Sequence, residues 1–384
     1  MKNEIRFYPV GNGDTSQIIL DNKKRILMDF RHLKKTEEEG GGPEINLKKA
    51  LENELREANR DYFDVVAFTH GDADHIENST EFFELNHAEK YQGEGRIKIK
   101  NLWVPAAMIL EQAGNENQSD EFVIWRQEAR YRLKKGEGIR VFSKPDRLKD
   151  WLKETGLSVE DRKELITDAG QLVPDFSLDI DGVEFFCHSP FVKHVDDQEE
   201  FRNEASLIFN VRFKIGGNLY DYLAVGDSKW DVLEDIVTKS KKENKNTGKS
   251  NEDRLNWDIF NVPHHSSYLA LSDEKGEKET TPKEKVEELL RYGKVGSYLI
   301  SSSKPIPDND EAYEQTQPPH IQAKKCYEKY LDEIKGCKLL VTMEESDEKD
   351  PQPIVVTIDN GGIVIEQKKL SAPNIAISRS YKAG

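Results

Sequence analysis

Hydrophobic positions along the chain fall into two kinds of run. Short ones, rich in β-branched and aromatic residues, occupy positions 5–10, 17–20, 25–29, 63–68 and 97–104 in the first half. They recur at 176–180, 183–188, 203–209, 222–227, 257–262 and 293–303 in the second. Their length and composition predict strands. Longer stretches carry apolar residues at helical spacing, as in 45–58, where Leu47, Leu51, Leu55 and Ala58 share one face. Positions 230–237 and 321–331 read the same way. Each half thus runs from strands into helices, which predicts an α/β fold, although no internal repeat of identical spacing is found. A closing hairpin is expected from 354–358 and 363–365, turning at Asp359-Asn360-Gly361-Gly362.

Three regions depart from this rhythm. Residues 106–170 are helical in character and highly charged, and read as a helical insertion in a single domain spanning 1–384. Its Arg126, Arg130, Arg132, Lys134 and Lys135 form either a basic wall for an anionic substrate or a solvated helix face. Residues 239–253, low in complexity and rich in Lys, Asn, Ser and Glu, predict a mobile loop. Residues 337–384 supply C-terminal strands and a tail.

Composition narrows the classes. A chain of 384 residues buries a sizeable core, and a net charge of −16 opposes unaided tight binding to bare nucleic acid. Three scattered cysteines, Cys187, Cys326 and Cys337, exclude a thiolate metal site and suit a reducing compartment. The start, Met1-Lys2-Asn3-Glu4-Ile5-Arg6, has no apolar signal core, and no run reaches membrane-spanning length. The expectation is a cytoplasmic protein with no membrane partner.

The chemistry concentrates after the strand at 63–68. Thr69-His70-Gly71-Asp72-Ala73-Asp74-His75 places four metal-ligating side chains within six residues, where Gly71 and the aspartates force a turn. In a loop, His70, Asp72, Asp74 and His75 can diverge to two cations sharing one pocket. Two later strands also end in ligands: Val225-Gly226-Asp227 and Val262-Pro263-His264-His265-Ser266. His87 reads as a surface residue.

His70-x-Asp72-x-Asp74-His75 resembles the H-x-[HD]-x-D-H signature of metallo-β-lactamase-fold hydrolases. Asp at the third position, followed by Ile76, is similar to the branch typified by the hydrolase domain of the DNA-uptake protein ComEC. Val10-Gly11-Asn12-Gly13-Asp14, the strand ending in Asp29, Asn203-Glu204-Ala205-Ser206 and His264-His265-Ser266-Ser267 fit that branch in order.

The resemblance implies an αββα metallo-β-lactamase sandwich of two similar halves and two divalent metal ions. His70 and Asp72 would hold the first ion, Asp74 and His75 the second, with Asp227 as the bridge and Asp29 as a support for the loop. Pro263-His264-His265 aligns with the common Pro-Gly-His of the fold, which favours His265 as the second-ion ligand and leaves His264 to substrate. The reverse assignment stays open. Asn203 stands where relatives carry a third His on the first ion, and His188 is either its substitute or a capped strand end. The reversed Pro318-Pro319-His320 puts His320, with Ser303, against substrate or merely before the last helix. The oxygen-rich donor set points to Mn2+ or Zn2+, with a mononuclear site as the alternative.

The implied activity is phosphodiester hydrolysis of DNA or RNA, with Asp74, His264 and His320 as catalytic residues. Small phosphoesters (a nucleotide, cyclic nucleotide or phosphorylcholine) and a non-catalytic effector with a degenerate site are the rival readings. A protein partner or homo-oligomer is compatible with either.

Overall fold

The computed structural model describes residues 2–111, 119–191, 205–245 and 247–366. Among the described residues, sixteen strands form two sheets. The first has nine: β1 (Lys2–Phe7), β2 (Ser16–Ile19), β3 (Arg25–Met28), β4 (Tyr62–Ala67), β5 (Lys98–Pro105), β6 (Ile139–Phe142), β7 (Ile166–Thr167), β15 (Ile354–Asp359) and β16 (Gly362–Glu366), in the order 16-15-1-2-3-4-5-6-7. The second has seven: β8 (Gln171–Leu172), β9 (Val183–Ser189), β10 (Ile208–Ile215), β11 (Asn218–Ala224), β12 (Trp257–Val262), β13 (Gly293–Ser301) and β14 (Lys338–Val341), in the order 14-13-12-11-10-9-8. The expected likeness of the halves is real. In each, an antiparallel meander (β1-β2-β3, β9-β10-β11) leads into parallel strands (β3 to β7, β11 to β14) joined by crossovers.

The two sheets face each other across one apolar layer. Ile5, Phe7, Met28, Val65, Ala67 and Trp103 of the first meet Phe185, Phe209, Val211, Tyr222, Ile259 and Ile300 of the second. The outer face of the first sheet is covered by α1 (Leu47–Glu57), α4 (Ala106–Leu110), α5 (Asp120–Lys135) and α6 (Asp146–Glu154). That of the second is covered by α7 (Trp230–Lys241), α8 (Glu284–Arg291) and α10 (Ile321–Glu333), with the short α9 (Asp310–Glu314) beside α10. The architecture is therefore an αββα sandwich. No helix among the described residues is long and apolar enough to cross a membrane.

Local chemistry explains most elements. In α1 the expected stripe Leu47, Leu51 and Leu55 is buried, and Asn46 caps its start by accepting from the Lys49 N–H at 3.0 Å. The hairpin turns where Asn360 and Gly361 permit it, with Asp359 opposite Gly362.

Two expectations are corrected and a third has its boundary moved. Residues 176–180 form a turn, because Asp181 closes back on Ser177, its carboxylate accepting from the Ser177 N–H and its N–H donating to the Ser177 carbonyl. The stretch 106–170 is helical only in part, since β6 and β7 extend the parallel edge of the first sheet. The stretch 239–253 begins inside α7, and its return is tied by the Asn251 N–H donating to the Ser240 carbonyl at 2.8 Å. The tail beyond 366 and Asn203 lie outside the described residues.

The parallel registers bring the ends of β3, β4, β11, β12 and β13 to one rim. Asp29, Thr69–His75, Asp227, His264–His265 and Ser301–Ser303 follow those ends.

Candidate metal centre

From the first sheet, Asp29 organises the metal loop. Its Oδ1 accepts from the Thr69 N–H at 2.7 Å, and its Oδ2 from the Thr69 hydroxyl at 2.6 Å and from His75 Nδ1 at 2.8 Å. The Thr69 oxygen, its proton committed to Asp29, accepts in turn from His70 Nδ1 at 3.0 Å. Both imidazoles are thereby fixed with the proton on Nδ1, so that each Nε2 presents a lone pair. The short helix α2 (Ala73–Ile76) then sets Asp74 and His75 one after the other.

The second sheet supplies the facing half. Gly226 has φ +52°, and a Cβ there would stand 3.2 Å from Thr69 Cβ, so glycine lets Val225-Gly226-Asp227 close on the metal loop. After β12, His264, His265 and Ser266 all take left-handed φ angles of 49°, 52° and 62°. Each costs roughly 1–2 kcal/mol for a residue with a Cβ, and such strain is characteristic of functional sites. It turns the His265 ring inward, where Nδ1 donates to the Ser302 carbonyl at 2.8 Å and leaves Nε2 toward the cluster.

Asp74, His75, Asp227 and His265 each bring one ligand atom, and the four atoms lie within 4.8 Å of one another. Asp227 stands between the imidazoles, Oδ1 at 3.3 Å from His75 Nε2 and Oδ2 at 3.4 Å from His265 Nε2. Asp74 Oδ2 lies 3.3 Å from His265 Nε2. These approaches lack hydrogen-bond alignment: His75 Nε2, His265 Nε2 and Asp227 Oδ1 are buried with no hydrogen-bond partner. Orphaned buried atoms of this kind are costly unless something else pairs them. Convergent imidazole and carboxylate donors fit a divalent cation.

The electrostatics agree. Burial alone would lower the His75 and His265 pKa values, but Asp227, with Asp29 at His75 and Asp74 at His265, raises both well above the ordinary range. Burial opposes ionisation of Asp227, yet the two imidazoles hold it well below the usual carboxylate range. Burial lowers His70, with the neighbouring His75 adding to the effect. A bound cation takes the place of those imidazole protons.

The remaining expected residues divide. His70 and Asp72 stand beside the group, not in it: the His70 ring is 4.0 Å from that of His75, its Nε2 is buried without a hydrogen-bond partner, and Asp72 Oδ2 lies 3.7 Å from it. His264 Nε2 is 3.8 Å from Asp227 Oδ2, and its side chain is about a fifth exposed. His320 is buried against Tyr268, whose N–H donates to its Nδ1 at 3.4 Å. His188 does not substitute for a missing ligand. Its Nε2 donates to the Arg254 carbonyl at 3.0 Å, its Nδ1 meets the Ser240 hydroxyl at 3.2 Å, and it lines a separate cavity of about 410 Å³ with Phe186 and Phe191.

The basic wall also dissolves. Arg126 donates to the Glu111 carbonyl, Arg130 to the Ile109 carbonyl, and the buried Arg132 to Glu128 and the carbonyls of Ile99 and Gly138. Lys134 lies over the Trp151 ring and Lys135 pairs with Glu137. His87 is not free at the surface, since its Nδ1 bonds Glu128 at 2.9 Å. Sequence reasoning missed Asp14 as a site residue. It is buried, and burial and the nearby Asp227 raise its pKa against the pull of His265 and His75. Only its place in the glycine-rich turn signalled it.

No family model matches the chain, and no curated protein matches it. Among solved structures, one similar chain is a Parabacteroides distasonis protein whose name suggests a metal-dependent hydrolase. It is 9% identical, with a TM-score of 0.34, over 88% of this chain and 93% of that one. The metallo-β-lactamase GOB-18 of Elizabethkingia meningoseptica is 12% identical, with a TM-score of 0.32, over 85% and 86%. A diphosphatase of the PhnP family is 11% identical, with a TM-score of 0.29, over 83% and 95%. Likenesses at this level carry no weight for function, which rests on the His and Asp group that the αββα rim assembles.

Proposed function

We propose that the protein is a metal-dependent hydrolase of phosphodiesters, with nucleic acid as its substrate. The observation that carries the reading is the convergence of Asp74, His75, Asp227 and His265, their ligand atoms within 4.8 Å of one another. When bound, a divalent ion supplies Lewis acidity and a water of lowered pKa.

The chain's own groups do the rest. Asp29 and the Ser302 carbonyl hold the two imidazoles with Nε2 inward. Asp227 offers one oxygen to each side, and His70 with Asp72 would hold a second ion beside the first. His264, partly exposed and outside the four-residue group, presents Nε2 to the leaving oxygen as a proton donor. The choice of phosphorus as the reacting centre rests on the resemblance of His70-x-Asp72-x-Asp74-His75 to the ComEC branch.

A second reading, a small phosphoester substrate, is favoured by two observations. The arginines of α5 are spent on internal carbonyls and Glu128, and the net charge of −16 repels a polyanion.

Elemental analysis after saturation with Mn2+ or Zn2+, combined with cleavage assays on single-stranded DNA, RNA, nucleotides and model diesters, tests both. At least one ion per chain is expected, with diester cleavage lost in Asp227→Asn. Less than one ion per chain would make the protein a non-catalytic effector. Cleavage of nucleotides without polymers would select the second reading.

A further inference from the structure

Three buried serines stand at the rim without a place in the metal group. Ser301 ends β13, Ser303 follows it, and Ser266 closes the turn that carries His264 and His265. Their hydroxyls form one chain: Ser266 Oγ is 2.8 Å from Ser301 Oγ, which is 2.9 Å from Ser303 Oγ. Ser303 donates to the Lys304 carbonyl at 3.1 Å, and a carbonyl can only accept. The Ser303 oxygen therefore accepts from Ser301, and Ser301 accepts from Ser266. Each proton is committed inside the chain, so Ser303 has none to offer a substrate.

The chain ends on a strained backbone. His264, His265 and Ser266 have left-handed φ angles of 49°, 52° and 62°, a region that residues with a Cβ enter singly and at a cost. Three in succession persist only where the surroundings over-determine them. The His264 N–H donates to the Gly226 carbonyl at 3.2 Å, the Ser267 N–H to the His264 carbonyl at 2.8 Å, and the His320 N–H to the Ser266 carbonyl at 3.0 Å. His265 Nδ1 donates to the Ser302 carbonyl, and the Ser266 hydroxyl to Ser301. The loops that supply these anchors are tied to the first half of the chain by Asn12, whose amide donates to the Pro318 carbonyl at 2.8 Å and accepts from the Lys304 N–H at 2.9 Å. Of these anchors of the turn, only Ser266–Ser301 joins two side chains.

We propose that Ser266 and Ser301 are positioning residues, whose hydroxyl contact keeps the 264–266 turn left-handed and so keeps His265 Nε2 toward Asp74 and Asp227. The inference rests on the reading of Asp74, His75, Asp227 and His265 as metal ligands. A turn relaxed to ordinary φ values would carry the His265 ring away from Asp74 Oδ2 and Asp227 Oδ2, now at 3.3 and 3.4 Å from its Nε2. Neither serine belongs to the donor group, so both act through the backbone that joins them to His265. Outer partners that orient an imidazole ligand typically govern metal affinity by about 10–100-fold.

The test uses the full chain with Ser301→Ala, Ser266→Ala, the double variant, and Ser266→Gly. Glycine lacks the hydroxyl but takes a positive φ at no steric cost, so it separates loss of the contact from loss of the turn. Two measurements are made: the His265 ring nitrogen resonances in metal-free protein, with those of His188 as an internal reference, and the affinity for Mn2+ and Zn2+. Ser301→Ala and Ser266→Ala are each expected to shift the His265 signals, leave those of His188 unchanged, and weaken metal binding about tenfold. The double variant should lose no more than either single change, because the two hydroxyls make one contact. Ser266→Gly should bind metal nearly as the parent does. Unchanged His265 signals in Ser301→Ala, additive losses in the double variant, or equal losses in Ser266→Gly and Ser266→Ala would overturn the proposal. If the parent takes up no metal while its His265 signals respond as described, the metal-centre reading falls and the positioning role survives.

Discussion

Asp29 Oδ2 and His75 Nδ1 stand 2.8 Å apart, both buried, Asp29 just past the end of β3 and His75 on α2, beyond the end of the parallel neighbour β4. One carboxylate oxygen thereby accepts from an imidazole and, at 2.6 Å, from the hydroxyl of Thr69, while the other takes the Thr69 N–H. Every group facing Asp29 is a donor, so an amide in its place turns one N–H against a donor.

Asp29→Asn is therefore expected to free His75 to turn or to shift its proton to Nε2. Metal affinity, measured by titration with Zn2+ or Mn2+, should fall about 10–100-fold. The folded state should persist with a loss on the order of 1–3 kcal/mol. Unaltered affinity in a folded Asp29→Asn protein would separate Asp29 from the site.

How much of this was legible in the sequence depends on whether a residue's role is local. The strand at Phe63–Phe68, the ligand run after it and the Asp227 and His265 strand ends all declare themselves within a few positions, because a turn after a buried strand has few other uses for His and Asp. The stripe in α1 and the Asn360-Gly361 hairpin are equally local. What stayed hidden depends on distant partners. Arg126, Arg130 and Arg132 look like a charged surface until the carbonyls they cap are known. His188 looks like a ligand until Arg254 and Ser240 claim its ring. Asp14 is separated from Asp227 and His265 by most of the chain, and only the docking of the two sheets brings their charges together.

His188 also gives stability a pH dependence of known sign. Burial pushes its pKa down to about 4 from the ordinary 6.5, while its two ring nitrogens are engaged as a neutral imidazole by a carbonyl and a hydroxyl. Between those values the unfolded chain binds a proton that the folded chain refuses. The contribution is complete above pH 6.5 and is lost as pH falls to about 4, a change of up to about 3 kcal/mol. In denaturant melts from pH 7 to pH 4, His188→Gln should lose less stability than the parent across that window. Parallel curves would show that His188 ionises freely in the folded protein.

Gly71 connects the metal loop to helix α5. A Cβ at this position would meet Phe122 Cδ2 at 2.2 Å and Cε2 at 2.3 Å, so the loop lies directly on the aromatic ring. Phe122 is itself buried on the face of α5 that packs under the first sheet, and it has little room to retreat. Gly71→Ala should cost about 1–3 kcal/mol through overpacking. Because Asp72 is the next residue, the loop rather than the helix is expected to move, shifting the His70–Asp72 side of the centre more than the Asp227–His265 side. Phe122→Leu alone leaves a void costing less than the roughly 3–5 kcal/mol of a full Phe→Ala truncation. The pair Gly71→Ala/Phe122→Leu should recover part of the loss, since the smaller side chain opens space for the new methyl. Thermal melts of the four proteins with and without Mn2+ measure both effects. Strictly additive losses would mean that the loop and the helix do not share this contact, and that α5 has no part in shaping the candidate centre.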